Sequence, residues 1–199
     1  MQDALSDLLH HHKIRLVLER YCRGIDRLDA DILNSVYWDD AIDNHGIYVG
    51  PARGFADFII PNLRERWTST MHTIGQSNIV VEGDRAAAET VFLAHHIRPD
   101  GDGIADDVAG GRYSDILECR GGEWRLLDRT VVMDWVYTHA GLASGGSIPP
   151  CSSWANGAAA TLAIAPTRRS GKGKPSDDEA TGCGHAARHL PPDGAYQGE

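Results

Sequence analysis

The chain has 199 residues, a formal net charge of −9, 42% apolar residues and 24% charged residues. These proportions are typical of a globular protein and exclude wholesale disorder and collagen-like structure. The acidic charge argues against nucleic acid as a partner, because an acidic protein repels the phosphate backbone. No apolar run reaches the roughly 18 residues that a membrane-spanning helix needs, so no membrane segment is expected.

The N-terminus and the cysteines indicate a compartment. The first residues, MQDALSDLLHHHK, carry acids early and no apolar block with a cleavage site, so no secretory signal is expected. The four cysteines are widely spaced and form no CxxC pair; they are Cys22, Cys119, Cys151 and Cys183. This pattern argues against a disulfide scaffold or a zinc ribbon and predicts a reducing, cytoplasmic location.

The composition changes near residue 140. Glycine and proline together supply 15 of the first 140 residues but 16 of the last 59. The final stretch lacks the apolar side chains needed to offset the entropy lost on ordering. We therefore predict one folded domain over residues 1–140 and a largely disordered Gly/Pro/Ala-rich tail over residues 141–199.

Helical patterns come first along the chain. Apolar residues recur at helical spacing between Ile14 and Ile25, and Asp29 is a candidate N-cap for a second helix. A turn signal at residues 44–46 predicts a β-hairpin. Residues 54–67 carry a third helical pattern, which Pro61 is expected to bend or interrupt.

The period then changes to two, which predicts strands at residues 77–83, 85–97, 111–120 and 123–138. The glycine-rich segment 101–111 between the second and third of these strands is predicted to be a loop. Helices followed by a strongly curved antiparallel sheet make an α+β fold with the helices on one sheet face. Such a curved sheet favours a cone-shaped barrel with a pocket inside.

Two residues are candidates for acid–base chemistry. Asp26 lies at the edge of the apolar stripe of the first helix, and His72 lies between the third helix and the first long strand. Histidine titrates near neutrality, so it can take and return a proton. The alternatives are that Asp26 caps the end of its helix and that His72 is a hydrogen-bonded, partly buried histidine.

His95 and His96 are adjacent on a predicted strand. Alternation places them on opposite faces, so one of them shares a face with Phe92 and Ala94. The histidine that faces inward is a candidate acid, base or substrate donor. A metal site that uses both is not expected, because no companion ligand stands at the required spacing.

Arg129 falls on an apolar strand face, where an arginine is costly unless it is paired. It either stabilises a developing oxyanion or pairs with an acid across the sheet. Tyr21 and Tyr48 are candidate phenol donors, with core packing as the alternative. No nucleotide-binding glycine motif and no G-x-S-x-G elbow is present, which leaves cofactor-free acid–base chemistry or simple binding.

Three stretches carry a family resemblance: RYCRGIDRLDADILNSVYWDDAIDNHGIYVGP, MHTIGQSNIVVEGDRAAAET and GRYSDILECRGGEWRLLDRTVVMDW. Over about residues 8–138 the chain resembles the SnoaL-like proteins of the nuclear transport factor 2-like superfamily. Within it the chain is similar to hexachlorocyclohexane dehydrochlorinases, scytalone dehydratases and bile-acid 7α-dehydratases. The phrase GIDR followed by YWDDA, and the GP that opens the third helix, are the specific features.

The resemblance implies a cone fold with a hydrophobic cavity, a trimeric assembly and a His–Asp dyad, here His72 and Asp26. It also implies pocket roles for Tyr21, for His95 or His96, and for Arg129. The dyad histidine would remove a proton while the aspartate orients its ring.

We therefore expect a cofactor-free lyase, a dehydratase or dehydrohalogenase, that acts on an apolar cyclic substrate. His72 and Asp26 would be catalytic, Tyr21, Tyr48, His95, His96 and Arg129 would contact the substrate, and no metal would bind. The alternatives are a ketosteroid-type isomerase that uses a carboxylate base, a polyketide cyclase, and a non-catalytic binding or assembly module.

Overall fold

The computed structural model describes residues 2–142. Its elements in chain order are the helices α1 (Gln2–Arg27) and α2 (Ala30–Ser35), the strands β1 (Tyr37–Asn44) and β2 (Val49–Pro51), the helix α3 (Phe55–Arg66), and the strands β3 (Ser69–Glu82), β4 (Arg85–Asp100), β5 (Gly103–Arg120) and β6 (Glu123–Leu142). β6 ends at Leu142, and the rest of the predicted tail lies outside the described residues.

The first two helices form as the sequence predicts, with α1 longer at its start. The Asp29 side chain accepts a hydrogen bond from the Ile32 amide at 2.9 Å and caps α2. Gly24 lies inside α1 because α2 packs against it there. A Cβ at this position would stand 2.9 Å from the backbone nitrogen of Leu33, so only glycine permits the close approach.

The third helix is continuous through Pro61 rather than interrupted by it. Proline removes the hydrogen bond to the carbonyl four residues earlier, which belongs to Asp57. Both Pro61 and Asp57 are exposed, so water can bond to the freed carbonyl. A proline on the solvent side of a helix is therefore tolerated here.

The six strands form one open, curved sheet in the order β2-β1-β6-β5-β4-β3. The expected antiparallel sheet is wrong in one respect, since β1 pairs with β6 in parallel and the sheet is mixed. This pairing sets Asp43 beside Arg129. The helices followed by the curved sheet make the predicted cone-shaped α+β fold.

Two strands begin earlier than the sequence predicted. β3 begins at Ser69, so His72 lies within the strand and not in a loop before it. β5 begins at Gly103, so the loop predicted over 101–111 is wrong. Gly110 and Gly111, which contributed to that prediction, are close-approach positions, because a side chain on Gly110 would overlap the Trp135 ring and one on Gly111 the Val132 backbone.

None of the helices within residues 2–142 is long and apolar enough to cross a membrane.

Candidate functional site

A cavity of about 250 Å³ opens between the helices and the concave face of the sheet. Most of its lining is apolar and includes Ile25, Phe55, Ile59, Leu63, Phe92, Ala94 and Val131. Ile47 and Met133 also line it and are 72% and 52% exposed, which marks the mouth. Tyr21, His45, His72 and His96 supply polar groups to the wall.

His72 and Asp26 meet at this cavity although they belong to different elements. The Nδ1 atom of His72 lies 2.7 Å from Oδ1 of Asp26, and the His72 backbone amide donates to Oδ2 at 2.9 Å. Thr70 donates its hydroxyl to Oδ1 at 3.0 Å. Three donors therefore fix this carboxylate, which projects from α1 toward the start of β3.

The hydrogen-bond pattern assigns the tautomer of His72. An ionised carboxylate only accepts, so Nδ1 carries the proton that it donates to Asp26. Nε2 is then the basic nitrogen of the neutral ring. His72 lines the cavity and its side chain is only 11% exposed, so this basic nitrogen is available to a molecule bound in the cavity and is largely shielded from bulk water.

His96 is the histidine of the adjacent pair that shares the cavity face with Phe92 and Ala94, as strand alternation requires. Its ring stands perpendicular to that of His72, with centroids 5.4 Å apart. Burial, with the neighbouring His72 adding to it, lowers the pKa of His96 to about 4. His96 is therefore neutral at pH 7 and adds no charge beside His72.

A second His–Asp pair lies on the same cavity, and the sequence analysis missed it. His45 lines the cavity and hydrogen-bonds through Nδ1 to Asp43, while its Nε2 lies 2.8 Å from the Tyr21 hydroxyl. The ring of His45 stacks on Phe55 with centroids 4.2 Å apart. The available signal was the Asp-Asn-His sequence, which places a histidine two residues after an aspartate, directly past the end of β1.

Arg129 is not on the cavity wall, contrary to the expected substrate contact. It is fully buried and forms two hydrogen bonds of 2.7 Å to Asp115, its partner across the strands. The guanidinium lies between the rings of Tyr21 and Tyr113, 4.0 and 4.2 Å from their centroids. The Asp115 carboxylate opposes the effect of burial and raises the pKa of Arg129 further above its usual range.

Tyr48 and His95 also lie elsewhere than expected. The hydroxyl of Tyr48 donates to the Pro51 carbonyl at 2.6 Å, so it is committed to a backbone oxygen. His95 occupies the sheet face opposite to His96, and its Nδ1 lies 2.7 Å from Asp106. The structure thus brings Tyr21, Asp26, His72 and His96 together and leaves Tyr48, His95 and Arg129 off the cavity wall.

The described part of the chain, residues 2–142, holds no group of three or more His, Cys, Asp or Glu side chains arranged to bind a metal ion.

Comparison with known proteins identifies the family. Residues 6–130 match the SnoaL-like domain, and the chain belongs to this family. No curated protein is significantly similar to it in sequence.

Solved structures share the fold. The dehydrochlorinase LinA-type3 from Novosphingobium barchaimii is 18% identical with a TM-score of 0.61, over 72% of this chain and 99% of its own. A provisionally assigned scytalone dehydratase from Novosphingobium aromaticivorans is 18% identical with a TM-score of 0.58, over 74% and 99%. A variant of Rv3472, of unknown function, from Mycobacterium tuberculosis is 20% identical with a TM-score of 0.56, over 66% and 75%. At these identities the similarity establishes the fold alone.

Proposed function

We propose that the protein is a cofactor-free lyase that eliminates water or a hydrogen halide from an apolar ring compound, with His72 as the base. One observation carries the proposal. His72 lines a cavity with Nδ1 held by Asp26, so Nε2 is the nitrogen available to a bound molecule. Fold relatives named for dehydrochlorination and dehydration fit this chemistry.

In the proposed reaction Nε2 of His72 takes a proton from a ring carbon, and the electrons of that C–H bond form the C=C bond as the leaving group departs. Asp26 keeps the ring oriented and stabilises the imidazolium that forms. General base catalysis of this kind contributes about 100- to 10,000-fold. Fixing the substrate close to Nε2 in a largely dry cavity supplies a further part of the acceleration.

The geometry supports a histidine base better than a carboxylate base. Both oxygens of Asp26 already accept hydrogen bonds, from His72 and Thr70. Asp26 is not among the residues that line the cavity, whereas His72 is. A ketosteroid-type isomerase would need the carboxylate itself to reach the substrate, so this alternative fits the site less well.

The cavity limits the size of the substrate. An apolar cavity of about 150 Å³ accommodates benzene. The volume here is about 250 Å³, and its walls are mostly apolar side chains. The substrate class that fits is a substituted ring of one or two cycles, and a four-ring steroid would extend through the mouth.

We further propose that the protein assembles into a homotrimer. Near the end of β6 the rings of Trp135 and Tyr137, each 45% exposed, stack on one face of the strand, and Val136, 62% exposed, lies on the other face. Contiguous apolar surface of this kind marks an interaction site. A cytoplasmic location stays a prediction, and the disulfide-bonded Cys119 does not support the reducing surroundings expected from the cysteine spacing.

A substrate screen tests the function. The wild-type protein and the His72→Ala variant are incubated with a panel of hydroxylated and halogenated one- and two-ring compounds. Mass spectrometry then follows the loss of water or of hydrogen halide. Elimination by the wild type and not by His72→Ala is expected, and equal elimination by both proteins would contradict the proposal.

A further inference from the structure

Four side chains form a hydrogen-bonded chain that ends at the cavity. Tyr37 donates its hydroxyl to Oδ2 of Asp43 at 2.6 Å, and Oδ1 of Asp43 bonds Nδ1 of His45. Nε2 of His45 bonds the hydroxyl of Tyr21 at 2.8 Å. Tyr21 and His45 both line the cavity that His72 also lines. The His72–Asp26 dyad thus shares its cavity with a second acid–base unit.

The middle of this hydrogen-bonded series is buried, so its polar groups depend on one another for hydrogen bonds. Asp43 is 0% exposed, so its carboxylate depends on the hydrogen bonds from Tyr37 and His45. The side chain of His45 is only 15% exposed. Its Nδ1 faces the carboxylate, so a proton on Nε2 gives an imidazolium that is paired with an anion.

The same arrangement defines two hydrogen-bond directions at Tyr21. When His45 is neutral, Nε2 accepts from the Tyr21 hydroxyl, because Nδ1 carries the proton. When His45 is protonated, Nε2 donates to the Tyr21 oxygen, and the phenol proton is free to be donated into the cavity. Burial lowers the pKa of His45, which makes its imidazolium a stronger acid than that of an exposed histidine.

We propose that Tyr21, His45 and Asp43 are a proton relay that protonates a departing hydroxyl group, so that the natural substrate is a ring alcohol and the reaction a dehydration. The inference rests on the proposed function, since His72 must first remove the proton from carbon. Within it, Tyr21 is the catalytic residue that contacts the leaving oxygen, and His45 and Asp43 act through Tyr21.

The step balances in atoms and charge. His72 gains the proton of the C–H bond, the C=C bond forms, and the C–O bond breaks with its electron pair on oxygen. That oxygen takes the phenol proton of Tyr21 and leaves as water, while Tyr21 takes the Nε2 proton of His45. His72 then releases its proton to solvent and His45 takes one from solvent, which restores the starting state.

The position of Arg129 supports proton transfer through Tyr21. Its guanidinium carbon lies 4.0 Å from the centroid of the Tyr21 ring. Burial raises the pKa of Tyr21 well above its usual value, and the Arg129 cation over the ring face opposes that rise, because it stabilises the negative charge that the phenol develops as its proton leaves. The buried Arg129–Asp115 pair thus contributes to the relay without touching the substrate.

A halide leaving group would not need this relay, because a halide ion departs as a stable anion without a proton. Two substrates that differ only in the leaving group therefore separate the relay from the His72 dyad. A β-hydroxycyclohexanone and the corresponding β-chlorocyclohexanone serve this purpose, because both yield the same cyclohexenone. Enzymatic rates are measured above the spontaneous rate for each compound.

The test compares Tyr21→Phe and His45→Gln with the wild type on both compounds. The relay predicts a fall in kcat of about 100-fold on the hydroxy ketone and less than about threefold on the chloro ketone. His95→Gln removes a His–Asp pair on the opposite sheet face and is the matched control, with no change expected. His72→Ala is expected to lose both reactions, so its result reports on the proposed function alone.

Other outcomes would overturn the relay. These are equal losses on the two ketones, unchanged turnover in both variants, or a wild type that acts on the chloro ketone only. A readout independent of turnover uses long-range ¹H–¹⁵N NMR of the His45 ring. The relay predicts the Nδ1–H tautomer when His45 is neutral, and an Nε2 resonance that shifts in Tyr21→Phe but not in His95→Gln. An Nε2 resonance that is insensitive to Tyr21→Phe would overturn it even if no test compound were turned over.

Discussion

Asp26 binds His72 twice, through the imidazole with one carboxylate oxygen and through the backbone amide with the other. The first bond sets the plane of the ring, and the second fixes the strand that carries it. Because Asp26 lies near the end of α1, the position of Nε2 depends on how that helix packs against the sheet. The stability of this helix packing therefore affects the site as well.

The close packing of α1 against α2 is expected to contribute to the stability of the fold. Gly24→Ala would place a Cβ 2.9 Å from the Leu33 backbone nitrogen, and backbone atoms cannot move aside cheaply. We expect the free energy of unfolding to fall by roughly 1–3 kcal/mol, measured by urea denaturation. Gly75→Ala is the control, since its Cβ would meet Val91 at an ordinary 3.7 Å. Equal effects of the two substitutions would contradict the tight helix contact.

The Arg129–Asp115 pair is expected to be structural. Arg129→Met leaves the buried Asp115 carboxylate without its cation, which costs about 3–5 kcal/mol of stability. Replacing both residues, as Arg129→Met with Asp115→Leu, should restore most of that loss, because it leaves no uncompensated charge. Thermal unfolding measures both proteins. A single variant as stable as the wild type would show that the ion pair is not what holds this part of the core.

Acid is expected to destabilise the protein in part through His96. Its pKa is about 4 in the folded protein, below the roughly 6.5 of an unperturbed histidine. Between these values the unfolded chain binds a proton that the folded protein does not. The free energy of unfolding therefore decreases as the pH is lowered from about 6.5 to about 4, by up to roughly 3 kcal/mol from this group.

The His96→Gln variant isolates that contribution, because glutamine does not titrate. The stability of the variant should decrease less than that of the wild type between about pH 6.5 and pH 4. Urea denaturation at a series of pH values gives both curves. Parallel curves would show that His96 is protonated in the folded protein at the same pH as in the unfolded chain.

The exposed end of β6 is expected to lie in the subunit interface. Tyr137→Asp places a charge on the exposed strand face that Tyr137 shares with Trp135, so the trimer should dissociate to smaller species. Light scattering after size-exclusion chromatography measures the mass. Val49→Asp, at a 65% exposed valine on β2, is the control and should leave the mass unchanged. A variant that keeps the wild-type trimer mass would place the interface elsewhere.

Much of the fold could be predicted because its signals are local. The apolar period around Ile14 to Ile25 and the cap at Asp29 predict the first two helices, and the alternation around His95 and His96 predicts that these two side chains lie on opposite faces. The parallel pairing of β1 with β6 could not be predicted, since it joins strands at opposite ends of the domain. The start of β5 was missed because glycine at position 110 suits both a loop and a close approach to Trp135.

The contact between Asp26 and His72 was predictable because the family resemblance named both residues. Of the two roles predicted for Arg129, the structure shows the ion pair and not the substrate contact. The sequence did not favour the ion pair, because its partner Asp115 lies on a neighbouring strand and no local pattern links the two residues. The His45–Asp43 pair was missed for a different reason. The turn signal at residues 44–46 includes His45 itself, so this histidine was assigned to a hairpin turn and not considered as a partner of Asp43.

The most direct test of the account compares wild type, Asp26→Asn and His72→Gln on a ring compound found in the substrate screen, with thermal unfolding of each protein measured in parallel. The account predicts that His72→Gln lowers kcat by at least about 100-fold and that Asp26→Asn also lowers it substantially, while both variants stay folded. Full turnover by a folded His72→Gln protein would contradict the assignment of His72 as the group that removes the proton from carbon.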